Sequence, residues 1–181
     1  ETVQEDKNAV GGKAVLRTVE VRIHTNSRYT SYPFQLVLPK NVQKPPVFLY
    51  LTFLPLSSDE LMGEITDSGY AVARVSYQDI APDQGDGYTN GPGTLFPGNA
   101  FDGWGKLAVW AWSASRIMDY LVDLEEIDGK RIAVAGHSRL GKAALLCGAM
   151  DDRFSMVISN DSGAGGISLF RGKEGENVAD L

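Results

Sequence analysis

From Thr18 onward the chain alternates, with Val19, Val21 and Ile23 falling between Thr18, Glu20 and Arg22, as on a strand with one buried face. Tyr32, Phe34, Leu36 and Leu38 repeat the alternation, and Pro39 to Pro46 closes it with turn residues. These two strands are expected to pair antiparallel at one edge of a sheet. The pattern then changes. Val47 to Phe53 is a continuous apolar run and Tyr70 to Tyr77 another; between them Ser58 is placed to cap a short helix that runs toward Asp67 and stops at Gly69. Continuous strands separated by helices predict a parallel sheet with crossovers.

Residues 1 to 13, charged and ending Gly11-Gly12, read as a solvated arm. Gln78 to Phe101 has no periodicity, but Ile80, Tyr88, Leu95 and Phe96 give it apolar anchors, which predicts a packed, site-forming loop. Asp102 is expected to cap the longest helix, whose inner stripe is Leu107, Trp110, Ala111, Ala114, Ile117, Met118 and Leu121; Trp104 and Trp112 lie off that stripe. Ile132 to Ala135 is a short buried strand, and Ala143, Ala144, Leu145, Leu146, Ala149 and Met150 form the helix after it. Phe154 to Ser159 is the last strand, and Asn160 to Gly166 leaves it as a glycine-rich loop. No repeat or second domain is visible in residues 1–181.

Chemistry concentrates where Gly136-His137-Ser138-Arg139-Leu140-Gly141-Lys142 joins strand to helix. A serine on a sharp turn at the carboxyl end of a strand, just ahead of a helix N-terminus, has the layout of a hydrolase nucleophile, here as G-x-S-x-x-G. The same letters fit G-x-x-x-x-G-K, a phosphate-cradling loop, although Ala143 stands where Ser or Thr should hold magnesium and the loop interior is bulky. A third possibility is a serine that serves the turn alone.

Composition narrows the field. The chain has 181 residues, 43% of them hydrophobic, with 17 Lys and Arg against 23 Asp and Glu for a net charge of −6. That balance argues against nucleic-acid or anionic-membrane binding, and an acidic substrate would need local basic groups. No apolar run approaches membrane-spanning length. Cys147 is the sole cysteine, so an internal disulfide is impossible and a buried thiol is expected. The chain starts at Glu1 rather than Met, so any export signal has been removed or was never part of this sequence.

The chain resembles the amino-terminal half to two-thirds of the glucuronoyl esterases, α/β-hydrolases that act on plant cell wall. The resemblance rests on G-H-S-R-L-G-K at Gly136 to Lys142, on N-D-S-G-A-G-G at Asn160 to Gly166, and on Gly103-Trp104-Gly105 through Ser115-Arg116-Ile117-Met118-Asp119-Tyr120. It implies a three-layer α/β-hydrolase sandwich, mostly parallel with an antiparallel N-terminal edge and truncated before its last strands. It also implies a secreted or periplasmic protein. The implied activity is hydrolysis of esters of (4-O-methyl-)glucuronic acid in xylan and lignin–carbohydrate linkages, without metal or organic cofactor. By motif, Ser138 would be the nucleophile, Arg139 an oxyanion stabiliser, Lys142 a contact to sugar hydroxyls, Asp161 the triad acid, and Glu176 a substrate-facing residue. In that fold the histidine follows the acid, yet no histidine follows Ser138. His137 adjoins the serine and would point away from it, and His24 lies on an early strand. The chain therefore reads as a fragment with little activity of its own, or as a carbohydrate-binding pseudoenzyme. A sheet cut short would also expose an edge inviting self-association.

Overall fold

One seven-stranded sheet is built from β1 (Thr2–Ala9), β2 (Ala14–His24), β3 (Tyr29–Pro39), β4 (Val47–Thr52), β5 (Ala71–Ser76), β6 (Ile132–His137) and β7 (Met156–Asn160), in the spatial order β1-β2-β3-β5-β4-β6-β7. The computed structural model describes residues 1–57, 62–83, 88, 90–95, 103–169 and 171–172. β1, β2, β3 and β5 pair antiparallel in turn, whereas β5, β4, β6 and β7 run parallel. The alternating segments thus form the antiparallel edge and the continuous apolar runs the parallel half, as their patterns predict.

The two faces separate by register. On one face Phe34, Leu36, Leu49, Leu51, Ala73, Val75 and Val134 meet the long helix α3 (Lys106–Val122) and the helix α4 (Arg139–Met150), which supply Trp110, Ile117, Met118, Leu121, Leu140 and Ala144 to the main core. On the other face Val37 and Val72 meet Met62 of the short helix α1 (Met62–Asp67). Adjacent strand residues point to opposite faces, so Val72 and Ala73 belong to different layers. Cys147 lies within the α3/α4 layer, and its burial pushes the thiol up to about 12.

Residues 1 to 13 correct the sequence reading. Rather than an arm, Thr2–Ala9 is a strand, turned back by Val10, Gly11 and Gly12, all at positive φ. Its side chains are solvated, as expected, but its backbone pairs with β2, and Glu5 receives a 2.8 Å ion pair from Arg17 across the pair. A strand held by its backbone, with charged side chains outward, leaves no apolar alternation to read. The start of α3 also differs. Gly105 is its N-cap, and the expected cap Asp102 lies outside the described residues, as does Ser58. The loop after β5 holds a one-turn helix α2 (Tyr77–Ile80) capped by Ser76, and a 3-10 turn at Pro92–Leu95.

The connections place the site. β4 to β5 passes over one face through α1, and β5 to β6 returns over the other face through α3, so the strand order reverses at β4. In open α/β sheets, ligands collect at the carboxyl ends of the strands beside such a reversal, and β6 ends there.

Candidate active site

Between the last residue of β6 and the first of α4 stands only Ser138, at φ 54° and ψ −127°. A non-glycine residue in this region is strained by about 1–3 kcal/mol, and such strain persists only where the surroundings impose it. The surroundings are identifiable. Ser138 N–H donates to the Asn160 carbonyl at the end of β7 at 2.9 Å, and Lys142 N–H donates to the Ser138 carbonyl at 3.2 Å to open the helix. A methyl group at Gly136 would lie 2.2 Å from the Leu140 carbonyl oxygen, so strand and helix approach closely only because position 136 is glycine. At Gly141 a methyl would meet Ser162 Cβ at 3.0 Å and the Asn160 carbonyl at 3.1 Å, which is why the second glycine follows the serine by three residues here.

This geometry removes the phosphate-loop alternative. Gly136 lies in the strand and Gly141 and Lys142 in the helix, so no open loop of backbone N–H groups exists between them. Instead the first N–H groups of α4, that of Arg139 foremost, have no intrahelical acceptor and lie beside the serine, as in an oxyanion hole.

Arg139 and Lys142 differ in setting. The Arg139 guanidinium is partly exposed and ion-paired through Nη1 with Oδ2 of Asp83, a residue of the loop after α2. Lys142 is 5% exposed, so it does not simply lie along the helix surface. Asp161 follows Asn160 directly, at φ 46°, with an exposed side chain. Behind it the loop is tied down by the buried Ser162, whose hydroxyl accepts Ile167 N–H at 3.0 Å and shares a 2.8 Å hydrogen bond with Ser159 Oγ; the Ser159 hydroxyl donates to the Gly141 carbonyl at 2.9 Å, which leaves Ser162 the donor between the two serines. Glu176 lies outside the described residues.

Neither histidine reaches the serine. The His137 ring is exposed and its Nδ1 meets Asn160 Nδ2 at 3.0 Å; that amide nitrogen donates, so Nδ1 accepts. His24 ends β2 against Tyr29, with ring centroids 4.8 Å apart. Its strand ends on the same edge of the sheet as β6 but four strand spacings away, about 19 Å. Sequence reasoning missed Asp83, Asn160 and Ser162 as parts of the site. Asp83 fell within the loop expected to form it, and Asn160-Asp161-Ser162 within the glycine-rich loop, but partnership across tens of residues leaves no local pattern.

Similarity to known proteins agrees with this geometry. The chain is 40% identical over 124 residues to the carbohydrate esterase MZ0003 of an unknown prokaryotic organism, and 36% over 120 residues to 4-O-methyl-glucuronoyl methylesterase 1 of Sodiomyces alcalophilus; each match takes in 61% of this chain, but 26% and 24% of the relative. The glucuronoyl esterase from Solibacter usitatus superposes with a TM-score of 0.82 at 32% identity, over 94% of this chain and 53% of that one. The chain thus spans about a quarter of the curated relatives and about half of the solved structure. Residues 21–180 match the family model described as "Glucuronyl esterase, fungi", and the chain belongs to the glucuronoyl esterase family.

Proposed function

We propose that this chain carries the nucleophile portion of a serine carboxylic ester hydrolase that cleaves esters of (4-O-methyl-)glucuronic acid in glucuronoxylan or a related uronate polymer, outside the cell or in the periplasm. The observation that carries this reading is the backbone of Ser138, held at positive φ at the carboxyl end of β6 with the N-terminus of α4 beside it. Ser138 attacks the acyl carbon, and the Arg139 N–H and guanidinium stabilise the oxyanion. Lys142 meets sugar hydroxyls, Asp161 orients the base, and Glu176 faces the substrate. The base itself must be a group other than His24 and His137. Among the described residues, no helix is long and apolar enough to cross a membrane.

The test supplies the base from solution. With a methyl glucuronate ester and added imidazole, the 181-residue chain should show saturable hydrolysis, down about three to six decades from a complete triad without imidazole, and lost in Ser138→Ala. Hydrolysis that survives Ser138→Ala would place the chemistry elsewhere. Where a base is present, Arg139→Ala should lower kcat by about two to three decades and Lys142→Ala should mainly raise KM. A second reading, sugar binding without turnover, is favoured by the remoteness of His24 from Ser138 and by the His137 ring being paired with Asn160; binding of the ester without hydrolysis at any imidazole concentration would select it. Self-association is proposed through β7, on the support of Met156, Ile158, Ile167 and Leu169, all exposed. A monomer at all concentrations in light scattering would reject it.

A further inference from the structure

Asp83 meets Arg139 from 56 residues away, and its approach is built rather than incidental. The backbone leading to it is tied to the core helix α3 by two side chains: Trp110 Nε1 donates to the Ala81 carbonyl at 2.9 Å, and Lys106 Nζ donates to the Pro82 carbonyl. Ala81 N–H in turn donates to the Tyr77 carbonyl at 2.8 Å, and Trp110 and Ala81 are buried. The carboxylate so presented is only 13% exposed, against 31% for the Arg139 side chain. A partly desolvated charge pair on a fixed backbone is unlike the mobile surface pairs that contribute little.

The reaction explains why a counter-ion would stand here. In ester hydrolysis water adds to the acyl carbon, the bond to the alcohol oxygen breaks, the alcohol leaves with a proton, and the acid gives its own proton to solvent at neutral pH. The substrate is neutral at the carboxyl and the product carries a negative charge on the same atoms. An uncompensated guanidinium next to Ser138 would bind the product carboxylate in its bidentate fork more tightly than the ester. Asp83 occupies the Nη1 end of that fork.

We propose that Asp83 is a specificity-determining counter-ion, which neutralises Arg139 so that the site holds the neutral ester and releases the anionic acid. This rests on the ester-hydrolase reading of Ser138, so the test has one arm that does not. In the 181-residue chain, acetate is titrated while the Arg139 backbone N–H and Nε–H resonances are followed by NMR. Asp83→Asn should bind acetate at least about tenfold more tightly than the parent, and the gain should vanish in Asp83→Asn/Arg139→Gln. Asp83→Ser repeats the measurement with a smaller side chain, in case the amide disturbs the fold. Equal acetate affinities in parent and variants, or a gain that survives loss of Arg139, would overturn the proposal. The second arm compares glucuronate with its methyl ester: the ratio of affinities should move about tenfold toward the acid in Asp83→Asn. A gain for acetate with no binding of either sugar would uphold the counter-ion and reject the uronate reading. No gain for acetate, with the methyl ester still bound by the parent, would do the reverse.

Discussion

Ser138 and Asn160 are joined backbone to backbone, N–H to carbonyl at 2.9 Å, so the last residue of β7 fixes the main chain of the serine at the end of β6. That bond helps to hold Ser138 at φ 54° and ψ −127°, where a Cβ is disfavoured. Strain at the serine is thus supported by the neighbouring strand. Ser138→Gly should relieve it and raise unfolding stability by about 1 kcal/mol, partly offset by the greater freedom of glycine in the unfolded chain, while Ser138→Ala keeps the strain and gains nothing. Urea unfolding of the three proteins checks this. A Ser138→Gly variant less stable than Ser138→Ala would mean that the backbone is not under strain.

The two glycines of the elbow should fail unequally. At Gly136 the obstruction is the Leu140 carbonyl at 2.2 Å, a backbone group that cannot swing aside, so Gly136→Ala must separate β6 from the first turn of α4. At Gly141 the contacts are 3.0–3.1 Å and a shift of a few tenths of an ångström suffices. Gly136→Ala is expected to cost about 3 kcal/mol or more and Gly141→Ala about 1 kcal/mol, since overpacking costs scale with what must move. Equal losses in urea would show that the closeness at position 136 is not needed for the fold.

Much of this arrangement was legible in the sequence, and the limits have physical causes. Tyr29 to Gln35 of β3 alternate because one face there is buried more deeply than the other, and β5 is buried on both faces, so period and burial agree; β4 runs apolar although Phe48 and Tyr50 on its second face are only partly buried. Ser138, Arg139 and Lys142 are neighbours in sequence and could be read as a unit. β1 could not, because its pairing uses backbone groups that every residue carries. Asp83 could not be assigned to Arg139 either, since that pairing depends on Trp110 and Lys106 drawing Ala81 and Pro82 onto α3. The start of α3 was misplaced because Asp102 is a good capping residue by type, whereas the chain stays extended at Gly105, with φ −71° and ψ 161°.

The packing of α4 on β7 can be tested through Gly148 and Val157. A methyl at Gly148 would lie 2.1 Å from Val157 Cγ2, an atom at the end of a side chain. Gly148→Ala alone should cost about 1–3 kcal/mol from overpacking, and Val157→Ala alone about 1–2 kcal/mol from lost contacts. Combined, the smaller residue makes room for the larger and the overpacking cost is relieved, whereas the helix preference for alanine over glycine is present with or without Val157 and cancels in the cycle. The double variant should therefore be more stable than the sum of the two losses by at least about 1 kcal/mol. Strict additivity in a double-mutant cycle would deny the contact.

Acid should loosen the far end of the same helix. Asp151 caps α4 and receives Arg153 Nε at 2.8 Å and Nη2 at 2.7 Å, while Arg153 also reaches Asp119 at 2.8 Å and the Ser115 carbonyl at 3.3 Å. The Arg153 hydrogen bond, with Ser115 and the Arg153 N–H adding to it against burial, holds the Asp151 carboxyl below the usual range. A carboxylate with a depressed folded pKa binds its proton more weakly folded than unfolded. Its stabilisation is therefore complete above the ordinary aspartate value and fades as pH falls below about 4 and through the folded value. Glu126 beside Arg17 and Asp128 beside Arg131 are lowered too and act in the same direction, so the signature is a change of slope rather than its loss. Asp151→Asn should lower stability at pH 7 by about 1.5–3 kcal/mol, the usual worth of hydrogen bonds to charged groups, and flatten the decline of the urea midpoint below pH 4. A variant that loses stability at pH 7 yet declines as steeply as the parent would assign acid unfolding to the other carboxylates.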